Sequence, residues 1–411
     1  MEMKKYKLGE IASFIGSGMT PLRSNENYWN SKDYPWLKTE QLGEYQIFDT
    51  NEYISKVALE ETNLKLFPKN TLSVAMYGEG KTRGNVSILA EQMTTNQACC
   101  NIIVDNKFAN YKFIYYWLKN SYYKLRSLSS GIRNNLNSED IKKFEINLPS
   151  LPTQQKIAAV LSSLDDKIAL NKKINAKLEA MAKRLYDYWF VQFDFPNEEG
   201  KPYKTSGGKM VWNEVLKREI PEGWEVKRLG DLFLNKISAT EPGEHLKNLE
   251  YCPIDEIPMR RMSFAGGKSY NEANSSLQLY GMKDILIGAM RVYFHRCCIA
   301  AKAGITRTTT IVLTPHNKTH LSYLYQVCNE DKTFDFAIKV SNGTQQPYVT
   351  WKALSDYYFV YPNDETIIDV FCDKTNSVIE MVLKNEKEIQ KLTDLRDRLL
   401  PLLMNGQVEV E

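Results

Sequence analysis

Histidine is scarce, with four in 411 residues. His316 and His320 have the spacing of a helical ligand pair, but Pro315 and Asn317 make that stretch a loop entry. No third ligand is close, and His245 and His295 lie elsewhere, so a histidine-based metal site has little to draw on. The seven cysteines form no C-x-x-C pair. Cys99-Cys100 and Cys297-Cys298 sit in apolar runs and read as small core residues of a reduced, cytoplasmic protein. No run approaches the 18 or so apolar residues of a membrane span, and the polar opening Met1-Glu2-Met3-Lys4-Lys5-Tyr6 carries no export signal. A net charge of +3 is too mild to name a partner; it permits nucleic-acid binding by local patches. The 43% hydrophobic and 25% charged fractions are those of an ordinary globular chain. The length suggests two or three domains.

Catalytic motifs are missing too. No Gly-x-Ser-x-Gly elbow occurs. Phe14-Ile15-Gly16-Ser17-Gly18 has the look of a methyltransferase cofactor loop. It follows a polar stretch, leads into Met19-Thr20-Pro21, and has no N-P-P-[FY] or D-P-P-Y element to accompany it. Gly78-Glu79-Gly80-Lys81-Thr82 suggests a phosphate loop, but Ala75 stands where a further glycine is needed. A strand, not a helix, is expected to follow. Glu79-x-Lys81 and Glu199-x-Lys201 match the tail of a magnesium-nuclease pattern short enough to arise by chance. No catalytic, cofactor-binding or metal-binding residue is assigned to this chain.

What the chain does have is a repeat. Lys7-Leu8-Gly9-Glu10-Ile11 is echoed by Arg228-Leu229-Gly230-Asp231-Leu232. Lys69-Asn70-Thr71-Leu72 with Ala75-Met76 is answered by Lys283-Asp284-Ile285-Leu286 with Ala289-Met290. Gly131-Ile132-Arg133-Asn134 is answered by Gly343-Thr344-Gln345-Gln346. The offset shrinks from about 221 to about 212 residues, so these are diverged copies, too few for a solenoid.

Each copy mixes short strands with one apolar helix, which predicts an α+β fold. Strands are expected over 71–77, 98–104, 284–290 and 309–313, and helices over 111–125 and 321–329. Each copy ends in a long amphipathic helix of about 57 Å at 1.5 Å per residue. In the first, Leu161, Leu164, Ile168, Leu178 and Leu185 keep a heptad-like phase around Asn171 and Asn175. In the second, Val378, Val382, Ile389, Leu392 and Leu399 do so, with Asn385 and Arg396 interrupting. Two narrow apolar stripes want each other. The expectation is an antiparallel coiled coil in a pseudo-two-fold repeat, with Asn171 nearly level with Asn385; the plainer alternative is two independent surface helices. The boundaries read as a first globular domain over 1–150, a central helix over 151–190 and a linker or irregular cover over 191–225. A second globular domain over 226–361, a distal helix over 362–404 and a tail over 405–411 follow.

The remaining signal is surface chemistry. The first globular domain offers Arg23, Lys38, Lys81, Arg83, Asn85, Thr94, Thr95, Asn96, Gln97, Arg133, Asn134 and Asn135. The second offers Arg260, Arg261, Lys268, Arg291, Arg296, Thr306, Arg307, Gln345 and Gln346. Arg suits guanine edges, Asn and Gln suit adenine, and Lys suits phosphate. Tyr34, Trp36, Tyr77, Tyr293, Tyr348 and Trp351 lie among them. Any one of these residues is more simply a solvated or supporting side chain; the set argues for nucleic acid.

Leu148-Pro149-Ser150-Leu151-Pro152-Thr153-Gln154-Gln155-Lys156-Ile157-Ala158-Ala159-Val160-Leu161, with Leu164-Asp165-Asp166-Lys167-Ile168, resembles the central repeat of type I restriction-modification specificity subunits. Leu392-Thr393-Asp394-Leu395-Arg396-Asp397-Arg398-Leu399-Leu400-Pro401-Leu402-Leu403-Met404-Asn405-Gly406 is similar to that family's distal repeat. Gly16-Ser17-Gly18-Met19-Thr20-Pro21 matches its opening G-x-T-P turn, whereas Lys236 to Pro242 keeps little of it. The resemblance implies a non-catalytic subunit with two target-recognition domains, each reading half of a split, asymmetric double-stranded DNA site. The helices would set the spacer and seat two modification subunits. Those partners would use S-adenosylmethionine, and restriction subunits ATP and magnesium. A self-sufficient methyltransferase or nuclease, a coiled-coil adaptor without DNA specificity, and the specificity partner of a related system cutting near its site are the rival readings.

Overall fold

The computed structural model describes residues 2–78, 80–128, 135–343 and 345–410. The chain divides into two compact units. Met1–Asp166 with Thr393–Glu411 form one, and Lys167–Leu392 the other. The divisions fall inside the two long helices rather than at their starts, so each unit holds one end of each helix.

In the first unit, Lys4–Lys7 pairs antiparallel with Glu145–Leu148, the strand that leads into the first long helix. The Lys-Leu-Gly-Glu motif then makes a tight turn. The Lys7 N–H donates to the Glu10 carboxylate at 2.7 Å, and Leu8 is fully buried. Glycine at position 9 leaves room for the Lys142 carbonyl, from which a Cβ would stand at a tight 3.3 Å. A five-stranded sheet follows, in spatial order Ala12–Ser17, Cys99–Val104, Leu72–Ala75, Val86–Leu89 and Gln46–Ile47. Its last pair is parallel. The aromatic helix Tyr111–Asn120, capped by Asn110, lies in one core with Leu72, Val74, Ile88 and Ile102. Ile157, Leu161, Leu400 and Leu403 from the long helices join that core. Each such buried aliphatic side chain contributes about 1.5–3 kcal/mol relative to exposure. A small sheet of Glu52–Ile54, Tyr34–Leu37 and Thr94–Thr95 completes the unit.

The second unit repeats this plan. Trp224–Arg228 pairs with Tyr358–Pro362. The Arg228 N–H donates to Asp231 at 3.1 Å, and a Cβ on Gly230 would meet Ser355 at 2.9 Å. The five-stranded sheet runs Phe233–Asn235, Thr310–Pro315, Ile285–Gly288, Cys297–Ala300 and Ser263–Phe264, the same order strand for strand. Ladder partners put Leu72 and Ile285 in one place, a residue off the match that the sequence suggested. The second copy departs where its G-x-T-P turn is lost. Ala239–Thr240 joins a four-stranded sheet with Leu277–Tyr280, Gly304–Arg307 and Glu250–Tyr251. All seven cysteines are free and buried.

The long helices span Leu151–Tyr186 and Thr366–Met404, the first closing in a π-turn over Asp187–Val191. Within the second unit they run antiparallel. Asn171 donates to Glu388 at 3.1 Å, Asn385 donates to Asn175 at 2.8 Å, and the Tyr186 and Phe371 rings lie 6.2 Å apart. Asn385 is therefore level with Asn175, one turn along from Asn171. Leu161, Ile168, Val378 and Val382 are buried. Leu164, Leu178, Leu185, Ile389, Leu392 and Leu399 are half-buried.

Residues 191–225, expected as a linker or irregular cover, are a packed cover. Phe193 and Phe195 are buried, Phe195 stacks on Trp224 at 5.0 Å, and Met210–Asn213 pairs with Arg218–Pro221 as a hairpin. Asp194 accepts from the Thr205 N–H and hydroxyl at 2.8 and 2.6 Å, fixing the turn between them.

Candidate nucleic-acid interface

In each unit the loop after the third strand of the large sheet meets a segment from just before the last short helix. In the second unit, the Val349 N–H donates to the Ala289 carbonyl and the Arg291 N–H to Pro347 at 2.7 Å. Asn342 and Tyr348 exchange both backbone bonds at 2.9 Å. This clasp brings together Arg291, Tyr293, Gln345, Gln346 and Tyr348, all exposed. Tyr293 is 54% and Tyr348 45% exposed, large for aromatic rings on a polar loop. Arg291 adopts a left-handed φ of +51°, a conformation that non-glycine residues seldom hold and that clusters at functional loops. Its guanidinium, like the side chains of Arg307, Gln345 and Gln346, makes no hydrogen bond or ion pair among the described residues.

The first unit has the same clasp. The Leu136 N–H donates to the Met76 carbonyl at 3.1 Å, and the Met76 N–H to Ala98. Beyond it lie exposed Tyr77 and Lys81. Arg133 and Asn134, which the repeat places opposite them, lie outside the described residues, as does Glu79. Asn135 and Arg83 are half-buried.

Many of the other sequence candidates hold the fold instead. Arg23 sits over Trp29 at 3.7 Å and pairs with Glu52 at 2.5 Å. Lys38 meets Glu52 at 2.6 Å and Glu40 at 3.0 Å, which holds its ammonium above the ordinary lysine range. Asn85 donates to the Leu42 carbonyl at 3.1 Å. Arg296, at the same place in the second copy, donates to the carbonyls of Asp255, at 3.0 Å, and Ile257. Both tie the hairpin base to the loop before the edge strand. Thr94, Thr95 and Thr306 are buried; Asn96 accepts from Ala98 within a turn, and Gln97 accepts from Thr20. Arg260 pairs with Asp331 at 2.8 Å, Arg261 with Glu386 at 3.0 Å, and Lys268 with Asp255 and Glu256. Trp36 is buried against Trp29, and Tyr34 and Trp351 pack on their cores.

The motif look-alikes resolve in the same way. Gly18 lies against the Thr95 backbone, where a Cβ would stand 2.1 Å from its carbonyl oxygen. The Met19 N–H donates to that carbonyl at 2.9 Å. The glycine turn is thus a backbone clasp. Lys81 leads into the strand Val86–Leu89, not a helix. His320 is buried and bonds Asp369 at 2.8 Å, while Glu199 pairs with Lys201 on the surface.

Residues 1–180 match the model of the type I restriction modification DNA specificity domain. The type I restriction enzyme MjaIX specificity subunit of Methanocaldococcus jannaschii is 30% identical over 431 residues, covering 100% of this chain and 94% of that protein. The chain belongs to the type I restriction enzyme specificity subunits. The HindI specificity subunit of Haemophilus influenzae is 26% identical, over 70% of this chain and 74% of its own. Among solved structures, the type I restriction-modification system S subunit from M. genitalium shares the fold. Its TM-score is 0.59 at 16% identity, covering 98% of this chain and 96% of that one.

The long helices carry a buried polar anchor in each unit, and each anchor reaches into the globular domain of its unit. Asp165 accepts from the Arg396 guanidinium at 2.6 Å and from the Tyr116 hydroxyl of the aromatic helix at 2.7 Å. In the second unit, Glu386 accepts from Asn175 at 2.9 Å and from Arg261 at 3.0 Å. Nearby Glu179 has one buried oxygen without a hydrogen-bond partner among the described residues; burial pushes its carboxyl up to about 7. Sequence reasoning missed Tyr116, Asp165, Glu179 and Glu386. The signal for Asp165 was present, since it adjoins Leu164 of one apolar seam and Arg396 interrupts the other.

Proposed function

We propose that this chain is the DNA-reading, non-catalytic subunit of a type I restriction-modification complex, each globular domain reading one half of a split double-stranded site. The observation that carries this is the duplicated clasp: two sheets of identical strand order, each presenting an exposed tyrosine and an exposed cation on the loop after its central strand. Cationic, amide and aromatic groups on exposed loops suit contact with base edges and phosphates. Modification subunits, two per chain, would supply adenine methylation with S-adenosylmethionine. Restriction subunits would supply ATP- and magnesium-dependent cleavage, and the helix pair would fix the spacer between half-sites.

The test is to co-express the chain with its modification subunit and map methylated adenines across a genome. Exchanging residues 1–150 for those of a relative should alter one half of the methylated site and keep the other. Alteration of both halves would refute modular reading, and methylation by the chain alone would refute the non-catalytic assignment.

A further inference from the structure

A cavity of about 570 Å³ in the first unit is walled by the aromatic helix, the short helix after it and the glycine-containing loop 80–86. Every charged side chain that lines it among the described residues is a cation: Lys81, Lys119 and Arg126. The tyrosines there are donors as well. Tyr122 donates to the Lys81 carbonyl at 2.7 Å and accepts from Arg126 at 2.7 Å, which braces the loop. Tyr115 is fully buried, yet its hydroxyl has no hydrogen-bond partner among the described residues. Burial, and then Arg396, hold the Lys119 ammonium below its usual range, against the pull of Asp165, Asp397 and Glu44. A buried cation beside another cation gains from an incoming anion.

The second unit has a cavity of about 370 Å³, lined by the first long helix, by residues 260–262 and by Tyr325, Gln326 and Asn329. Three of its four lining cations are paired with carboxylates: Lys183 with Asp187 at 2.6 Å, Arg260 with Asp331 and Arg261 with Glu386. Glu179 also lines it. The first cavity, by contrast, has no carboxylate among the described residues that line it. Turn glycines at Gly80 and Gly84, both with positive φ, let a backbone approach closely.

We propose that this cavity is an anion seat that takes a phosphodiester of the DNA backbone, held by Lys81, Lys119 and Arg126 beside the loop carrying Tyr77. It rests on the reading of this chain as a DNA-binding subunit. It assigns the first domain a sequence-independent grip.

The experiment uses the assembled specificity–modification complex and fluorescence anisotropy on two duplexes, one with the methylated site and one without, between 50 and 300 mM KCl. Lys81→Ala/Lys119→Met should weaken both duplexes about equally. It should also lower the slope of log affinity against log salt by about 0.9 for each phosphate no longer neutralised, while the methylated sequence stays the same. Lys183→Ala, in the second cavity, should leave the slope unchanged. A wild-type slope in the double variant overturns the proposal. So does loss of the modification subunit from that variant on native mass analysis, which would make the seat a receptor for an acidic side chain of the partner. Absence of site-specific binding by the wild-type complex would instead count against the proposed function.

Discussion

Arg291 and Arg296 stand five positions apart with the same guanidinium, yet one reaches solvent and the other closes two backbone carbonyls. The partner decides the role. Arg291→Ala is expected to weaken binding of the cognate duplex by about 1–3 kcal/mol with folding intact, the range of a bidentate base contact. Competition anisotropy against a mismatched half-site checks this; an unchanged affinity removes Arg291 from the reading set. Asn85 and Arg296 have the composition of reading residues, and nothing in a sequence says that a neighbouring carbonyl will claim them. Glycine was more legible. Gly18 and Gly230 sit where a Cβ would collide with a strand or turn, and Gly9 lies in tight contact with the helix Ser138–Lys143, so the motifs containing them mark real junctions. Glu179 makes a pH prediction at the same scale. Its folded-state pKa, raised to about 7 chiefly by burial, means that its neutral form favours folding. That contribution is complete below the unfolded carboxyl value and is lost as pH rises through 7. Glu179→Gln should therefore melt higher than the parent at pH 8.5 and at the same temperature at pH 5; a gap independent of pH would contradict this.

At the scale of elements, the helix seams show what periodicity can and cannot give. The apolar phase located the faces of both long helices, because a buried stripe must recur every three or four residues. It did not give the axial stagger, and Asn385 came to rest against Asn175 rather than Asn171. The stagger is set instead by polar partners, with Asp165 and Arg396 meeting in a largely buried pair. Removing one member strands the other charge, which costs on the order of 3–5 kcal/mol. Arg396→Ala should thus lower the denaturant midpoint of the first unit, whereas replacing Asp165 and Arg396 together by Leu and Met should recover most of it. An equal loss in the single and double variants would show that the pair is not coupled. The cover over 191–225 was less legible, since its proline, glycine and lysine content resembles a linker. The alternating Phe193 and Phe195 were the sign that it packs.

At the scale of the whole chain, the duplicated α+β plan, the two long helices and the class of function could all be read from repeats and helical motifs. The reading residues could not, because loop contacts depend on which side chains are already engaged. The division into compact units was also hidden. The second unit is one continuous stretch, while the first is closed by residues from the far end of the chain. Leu400, Leu403 and Met404 lie in the same core as Leu8, Phe113 and Leu161.

That arrangement has a consequence for biosynthesis. As the chain leaves the ribosome, domains fold as their residues become available. The first-made unit lacks part of its own core until the last residues emerge, and so completes after the second. A stop before residue 393 should therefore damage the opposite end of the sequence. Limited proteolysis of such a truncation is expected to digest residues 1–166 while 167–392 resists, and the reverse pattern would refute this order. Nascent chains would carry an unfinished amino-terminal reader for most of their synthesis, so an interrupted product gains no half-built DNA grip.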